Sequence, residues 1–144
     1  IAKASDKIQG QFTSGPNSIT QRAAVAALLG DLKPTLAMVE KFKERRQKVI
    51  ALVKEIPGII CNEPPGAFYI FPDVSSFFGK TTAAGEQISN ADDLAMYFLH
   101  TAHVSVVTGK AFGEPNCIRI SFANSTENIV KGFEKIKKAL SALK

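Results

Sequence analysis

Arg119 poses the sharpest chemical question in this sequence. It lies within Cys117-Ile118-Arg119-Ile120-Ser121-Phe122, an alternating run that predicts a strand. A period of two puts Arg119 on one face with Cys117 and Ser121, and Ile118, Ile120 and Phe122 on the other. A guanidinium in so apolar a strand is costly to desolvate without an anion. Its planar fork suits a carboxylate, which it can hold through two parallel hydrogen bonds. Two plainer roles stay open on the pattern alone: an internal ion pair, or a place on an exposed sheet face.

Other groups carry weaker signals. His100 and His103 are spaced i, i+3 near a predicted helix end, and with Cys117 they could on paper bind zinc. No fourth ligand and no motif spacing accompany them, so no metal site is expected. His103 has a simpler use, complementing the negative end of the helix dipole. Gly109-Lys110-Ala111-Phe112-Gly113 is punctuated by glycines, but a strand follows it, not the helix that a phosphate loop opens. Gly66 marks a turn or a close backbone approach before Ala67-Phe68-Tyr69. Spacing reveals no Ser/His/Asp set and no pair of catalytic carboxylates.

The elements that must position these residues are legible in outline. Ser18-Ile19-Thr20-Gln21 has capping-box spacing and opens an Ala-rich helix that stops at Gly30. Pro34 falls at the start of a long amphipathic helix. Its apolar residues Leu36, Val39, Phe42, Val49, Ile50, Val53 and Ile56 recur at helical spacing, with Lys and Arg assigned to the other face, and Pro57-Gly58 ends it. Asn90 caps a third helix whose first turn is acidic through Asp92 and Asp93. A last helix starts after Asn124 or Ser125 with the stripe Ile129, Phe133, Ile136, Leu140 and Leu143. Between helices, Ala67 to Phe71, Val104 to Val107 and Cys117 to Phe122 read as short strands, the last two joined as an antiparallel hairpin. The expected class is α+β: a small, mainly antiparallel sheet with packed helices.

Composition narrows the function classes. The chain has 144 residues, 45% hydrophobic and 22% charged, which suffices for one domain with a sizeable core. Eighteen basic against 13 acidic side chains give a net charge of +5, but the charges are mixed along predicted helices as in Glu40-Lys41-Phe42-Lys43-Glu44-Arg45-Arg46. Aromatic and basic residues do not interleave as a stacking platform, so no nucleic-acid partner is expected. No apolar run approaches the roughly 20 residues that span a membrane, so none is expected as a partner. The chain opens Ile1-Ala2-Lys3-Ala4-Ser5, without an initiator Met, which suggests a piece of a longer polypeptide. Two well-separated cysteines, Cys61 and Cys117, make no disulfide framework, and a cytoplasmic location is the expectation.

Read in order, four blocks resemble one family. They are Thr13-Ser14 with Gln21, Pro65-Gly66-Ala67-Phe68-Tyr69, Gly109-Lys110-Ala111-Phe112-Gly113, and Ile118-Arg119-Ile120-Ser121-Phe122-Ala123. Each is short, but their order and separations are similar to the C-terminal part of class I, fold-type I aminotransferases, above all bacterial aspartate aminotransferases. The likeness covers essentially the whole chain. Many relatives have Pro-Gly where this chain has Thr108-Gly109, a departure that touches only the loop's shape.

The resemblance implies a division of labour. Residues 31–144 would form the small C-terminal domain, and residues 1–30 the end of the large cofactor domain with its terminal helix. Arg119 would bind the substrate α-carboxylate. The parent enzyme would use pyridoxal phosphate to move an amino group between an amino acid and a 2-oxo acid, as a homodimer whose partner site is approached by the Gln11 to Asn17 segment. The family's S-x-x-K block, with the cofactor lysine and a phosphate-binding arginine, lies upstream and is absent here; Lys3 and Lys7 lack its context. No catalytic or cofactor-binding residue is therefore expected in the chain, no cofactor is expected to bind it alone, and it is expected to be inactive alone. Another amino-acid transaminase, a lyase or synthase of the same fold, and a non-catalytic interaction domain are the competing readings.

Overall fold

A computed structural model describes residues 1–144. The chain divides into two compact units, Ile1–Met38 and Val39–Lys144. The first contains α1 (Ala2–Phe12), α2 (Ser18–Leu29) and the opening of α3 (Lys33–Lys54). Neither α1 nor α2 buries a residue. Helix α1 has no counterpart among the four helices expected from sequence. It lacks the apolar stripe on which that expectation depended, carrying only Ile8 and Phe12 as large hydrophobic side chains, and both are exposed. Helix α2 is capped one residue earlier than the capping-box reading placed it. The Asn17 side chain accepts from the Thr20 backbone N–H at 2.8 Å, and Gln21 reaches back to the Pro16 carbonyl at 2.7 Å. The chain then leaves the helix at Gly30 as expected.

The second unit holds a three-stranded antiparallel sheet and two further helices, an α+β arrangement as the sequence indicates. Strands β1 (Tyr69–Ile70), β2 (Val107–Thr108) and β3 (Ile118–Ser121) lie in the order β1-β3-β2, so β3 is central. Register pairs Tyr69 with Ser121 and Ile70 with Ile120 on one side, and Val107 with Arg119 and Thr108 with Ile118 on the other. The strands are shorter than the sequence pattern suggested, for local reasons. Pro72 has no N–H to extend β1, and Ala67 takes a left-handed conformation, φ 62°, just before it. Strand β2 begins late because the Val104 N–H is already committed to the Phe98 carbonyl, closing the helix end.

That helix end follows α4 (Ala91–Tyr97), which Asn90 caps on the Asp93 N–H at 2.9 Å. The chain continues through one wide π-type turn, Phe98–Ala102, and stops at His103 in the left-handed region. Helix α5 (Thr126–Ser141) is capped by Ser125. The core collects Val49 and Val53 of α3, Ile70, Leu94 and Phe98, Ile118, Ile120 and Phe122 of β3 and its extension, and the α5 stripe Ile129, Phe133, Ile136 and Leu140, with Leu143 just beyond. Each such side chain contributes about 1.5–3 kcal/mol by leaving water, so β3 is held by one of its faces. Its other face is free to present Arg119.

A candidate carboxylate-binding site on the central strand

The burial of β3 alternates as the sequence predicts: Ile118 and Ile120 are buried, Arg119 is half-buried and Ser121 is exposed. Backbone bonds from both neighbours fix the strand's height and twist, which fixes where the arginine stem leaves it. On the β2 side the connection is a single 3₁₀ turn, Gly109–Phe112. Gly109 permits it. A Cβ there would press on the Glu114 carbonyl oxygen and come within 2.6 Å of that of Cys117, whose oxygen already accepts the Gly109 N–H at 2.7 Å.

This turn swings Phe112 over the sheet. The Arg119 guanidinium carbon lies 4.6 Å from the centre of the Phe112 ring and 5.4 Å from that of Tyr69. Phe71 meets Phe112 edge-on at 6.0 Å, and Phe68 meets Tyr69 edge-on at 5.6 Å. Cation–π attraction of this kind contributes about 0.5–1 kcal/mol at exposed sites and more where water is excluded. It also restricts the guanidinium plane.

No protein anion completes the site. The chain's six ion pairs are all between exposed Lys and Asp or Glu side chains, and Arg119 is in none of them. Its backbone pairs with Val107 in the ladder, but its guanidinium donates no hydrogen bond within the chain. The internal ion pair that the sequence left open is therefore absent. The remaining picture is a cation with aromatic rings against it and its fork donors uncommitted, an arrangement able to take a planar carboxylate edge-on.

The neighbouring groups do other things. The Asp73 carboxylate accepts the Ser75 N–H at 2.8 Å and so caps a turn. Burial pushes the Cys117 thiol above its ordinary value, and the Asp73 and Glu114 carboxylates add to that. Burial raises the Cys61 thiol too. Neither is a thiolate at neutral pH, which is poor preparation for a nucleophile or a metal ligand. His100 and His103 are both exposed, and no group of three His, Cys, Asp or Glu residues is placed to hold a metal. His103 works as the left-handed cap of its helix, its N–H on the Phe98 carbonyl. Thr13, Ser14 and Gln21, the first block of the family series, bond locally to the backbone of Gln9, Gly10 and Pro16.

Sequence reasoning singled out Arg119 but not its aromatic partners. Tyr69 and Phe112 were visible only as members of motifs. Their meeting with Arg119 depends on strand register and on the 3₁₀ turn, which residue types alone do not specify.

Comparison with known proteins places the chain in a family. The family model for "Aminotransferase class I and II" matches residues 1–136. A bifunctional aspartate aminotransferase and glutamate/aspartate-prephenate aminotransferase of Petunia hybrida is 46% identical over 98% of this chain and 30% of its own length. The crystal structure of the aspartate aminotransferase from Rhizobium meliloti is 39% identical, with a TM-score of 0.90 over 99% of this chain and 36% of that one. An aromatic aminotransferase of Pyrococcus horikoshii shares 28% identity at a TM-score of 0.80 over 94% of this chain. The chain spans about a third of the length of such relatives. A family match across nearly all its residues, and a fold shared with solved members, mean that this chain belongs to the class I and II aminotransferases.

Proposed function

We propose that the chain is the C-terminal part of a pyridoxal-phosphate-dependent aminotransferase of the aspartate type, in which Arg119 binds the α-carboxylate of the amino-acid or 2-oxo-acid substrate. Residues 1–30 are assigned to the end of the large cofactor domain and residues 31–144 to the small domain. The observation that carries the substrate role is the Arg119 guanidinium itself, set on a central strand against two aromatic rings with no acid and no internal hydrogen-bond acceptor. Every α-amino acid and every 2-oxo acid carries a carboxylate next to the reacting carbon, so such a fork serves both partners of the proposed reaction. A fixed guanidinium orients the substrate so that its amine and Cα–H face the cofactor. The names of the relatives support aspartate as an amino donor.

Pyridoxal phosphate supplies an electron sink for the carbon being deprotonated. The residues present here do not make a site for it. Its aldehyde needs a lysine held in place, whereas every lysine but Lys80 is exposed, and Lys80 lies 6.0 Å over the Phe77 ring. We assign the cofactor site to the rest of the protein and the chain alone to the inactive state. The homodimer of the complete enzyme belongs to the same proposal. So does a cytoplasmic location, which two free cysteines support.

The test is kinetic. Arg119→Lys keeps the charge and loses the fork, and Arg119→Ala loses both. In the complete enzyme kcat/KM should fall by about 30- to 1000-fold for every amino-acid substrate, corresponding to about 2–4 kcal/mol. A near-normal kcat/KM for Arg119→Ala would sink the assignment.

A further inference from the structure

Arg46 is out of place on α3. The residues Phe42, Val49 and Val53 form the face that α3 turns inward, and Arg46 stands one turn after Phe42 on that same face. It is half-buried, and its Nε is the chain's one buried side-chain nitrogen or oxygen with no hydrogen-bond partner. No acid pairs with it. The sequence pattern had assigned it to the solvated face with the other Lys and Arg residues, and the structure corrects that. A cation is an expensive filler for a core stripe, so what it holds matters.

It holds the Pro64 carbonyl, to which Nη1 donates at 2.8 Å. From Pro64 the chain runs through Pro65, Gly66 and Ala67 to Phe68 and Tyr69. The far end of this segment is anchored by the Phe122 N–H, which donates to the Phe68 carbonyl at 2.8 Å. Between the two anchors sits Ala67 at φ 62°, a conformation that side chains with a Cβ resist and that persists only where the surroundings over-determine it. The same face of α3 meets the residue that follows β3, Phe42 packing 6.3 Å from Phe122. Arg46 thus ties the upstream end of the Pro64–Tyr69 segment to the helix that also braces the strand of Arg119. The ring at the end of that segment is Tyr69, which lies against the Arg119 guanidinium.

We propose that Arg46 is a positioning residue for substrate-carboxylate binding: by holding the Pro64 carbonyl it keeps the Pro64–Tyr69 segment, and with it the Tyr69 ring, against the Arg119 fork. This rests on the reading of Arg119 given above. Lys54 and Glu63 also join α3 to the segment, but both side chains are exposed and such a pair holds little.

The complete enzyme tests this with three variants. Arg46→Met keeps the stem and removes the donors. Its KM for every amino-acid substrate should rise about two- to fivefold, the scale of losing a cation–π contact to an exposed ring such as Tyr69, with kcat within about twofold and melting unchanged. Arg46→Lys, which keeps a donor for Pro64, should recover most of that loss. Combined with Arg119→Lys, Arg46→Met should add little to the single variant, because both act on one contact. An unchanged KM in Arg46→Met overturns the proposal, as does a fully multiplicative double variant. So does a fall in kcat and melting temperature with KM unmoved, or failure of both Arg46 variants to fold, each of which marks a structural group. If Arg119→Lys itself binds substrates normally, the carboxylate reading falls; if Arg119→Lys is impaired and Arg46→Met is not, only the role of Arg46 falls.

Discussion

An arginine on the central strand of a small sheet has three ordinary explanations, and stability separates them from function. An ion-paired arginine leaves a stranded carboxylate when removed, at a cost of about 3–5 kcal/mol if buried. Arg119 has no such partner, only the rings of Phe112 and Tyr69. Arg119→Ala in residues 1–144 should therefore lower stability by no more than about 1–2 kcal/mol, read by thermal or urea unfolding, while the same change in the complete enzyme abolishes most substrate binding. A loss well above that would reinstate a structural role. At this scale the sequence was informative where the local rule was strong. Period-two alternation around Arg119 located its face because Ile118, Ile120 and Phe122 must share the core. The stacking of Phe112 was not legible, because it depends on a turn that Gly109 permits through close backbone contact. Arg46 was misread for a different reason: a charge on a helix is solvated by default, and only the tertiary partner at Pro64 shows otherwise.

Among the elements, α4 and α5 share the core with the sheet, and one polar contact joins them. The Tyr97 hydroxyl donates to the Ala139 carbonyl at 3.0 Å. Burial raises its ionisation above the ordinary value of 10.0. The folded state thus favours the neutral phenol more than the unfolded chain does. The resulting stability is fully present below pH 10 and is lost as the pH climbs through the raised folded value. Tyr97→Phe removes both the bond and the titration. It should cost about 1 kcal/mol near pH 8, and the gap from the parent should narrow as pH rises beyond 10. Urea unfolding at several alkaline pH values measures this, and a gap that holds constant to pH 11 would count against it. Element ends were the least legible feature here. Asn90 and Ser125 announced their helices through cap chemistry, whereas at α2 the capping-box spacing of Ser18 drew the reading one residue past the actual cap, Asn17. The π-type turn at Phe98–Ala102 and the delayed start of β2 had no such announcement.

At the scale of the whole chain, the two units differ in kind. Residues 39–144 enclose the entire core, while no residue of 1–38 is buried. Ile8, Phe12, Ile19, Val25, Leu28, Leu29, Leu32 and Leu36 all stand exposed. So large a set of apolar side chains is unusual on a monomer, and water favours covering it. On the proposed reading, residues 1–30 belong to a large domain whose remainder lies elsewhere in the protein, and that remainder is their natural cover. The isolated chain lacks it. It should be a monomer at low concentration and associate weakly as concentration rises, through residues 1–38. Replacing Leu28 and Leu29 with lysine should shift that association to higher concentration without changing the melting of residues 39–144, since neither side chain is in the core. Light scattering across a concentration series, followed by thermal unfolding of both proteins, makes the comparison. Backbone exchange supplies the independent check. With no burial to protect them, the amides of α1 and α2 should exchange far faster than those of β3 and α5. A tight dimer that survives the Leu28 and Leu29 changes, or slow exchange in α1, would show that the first unit is completed within this chain, and the assignment of residues 1–30 to a larger domain would lose its physical basis.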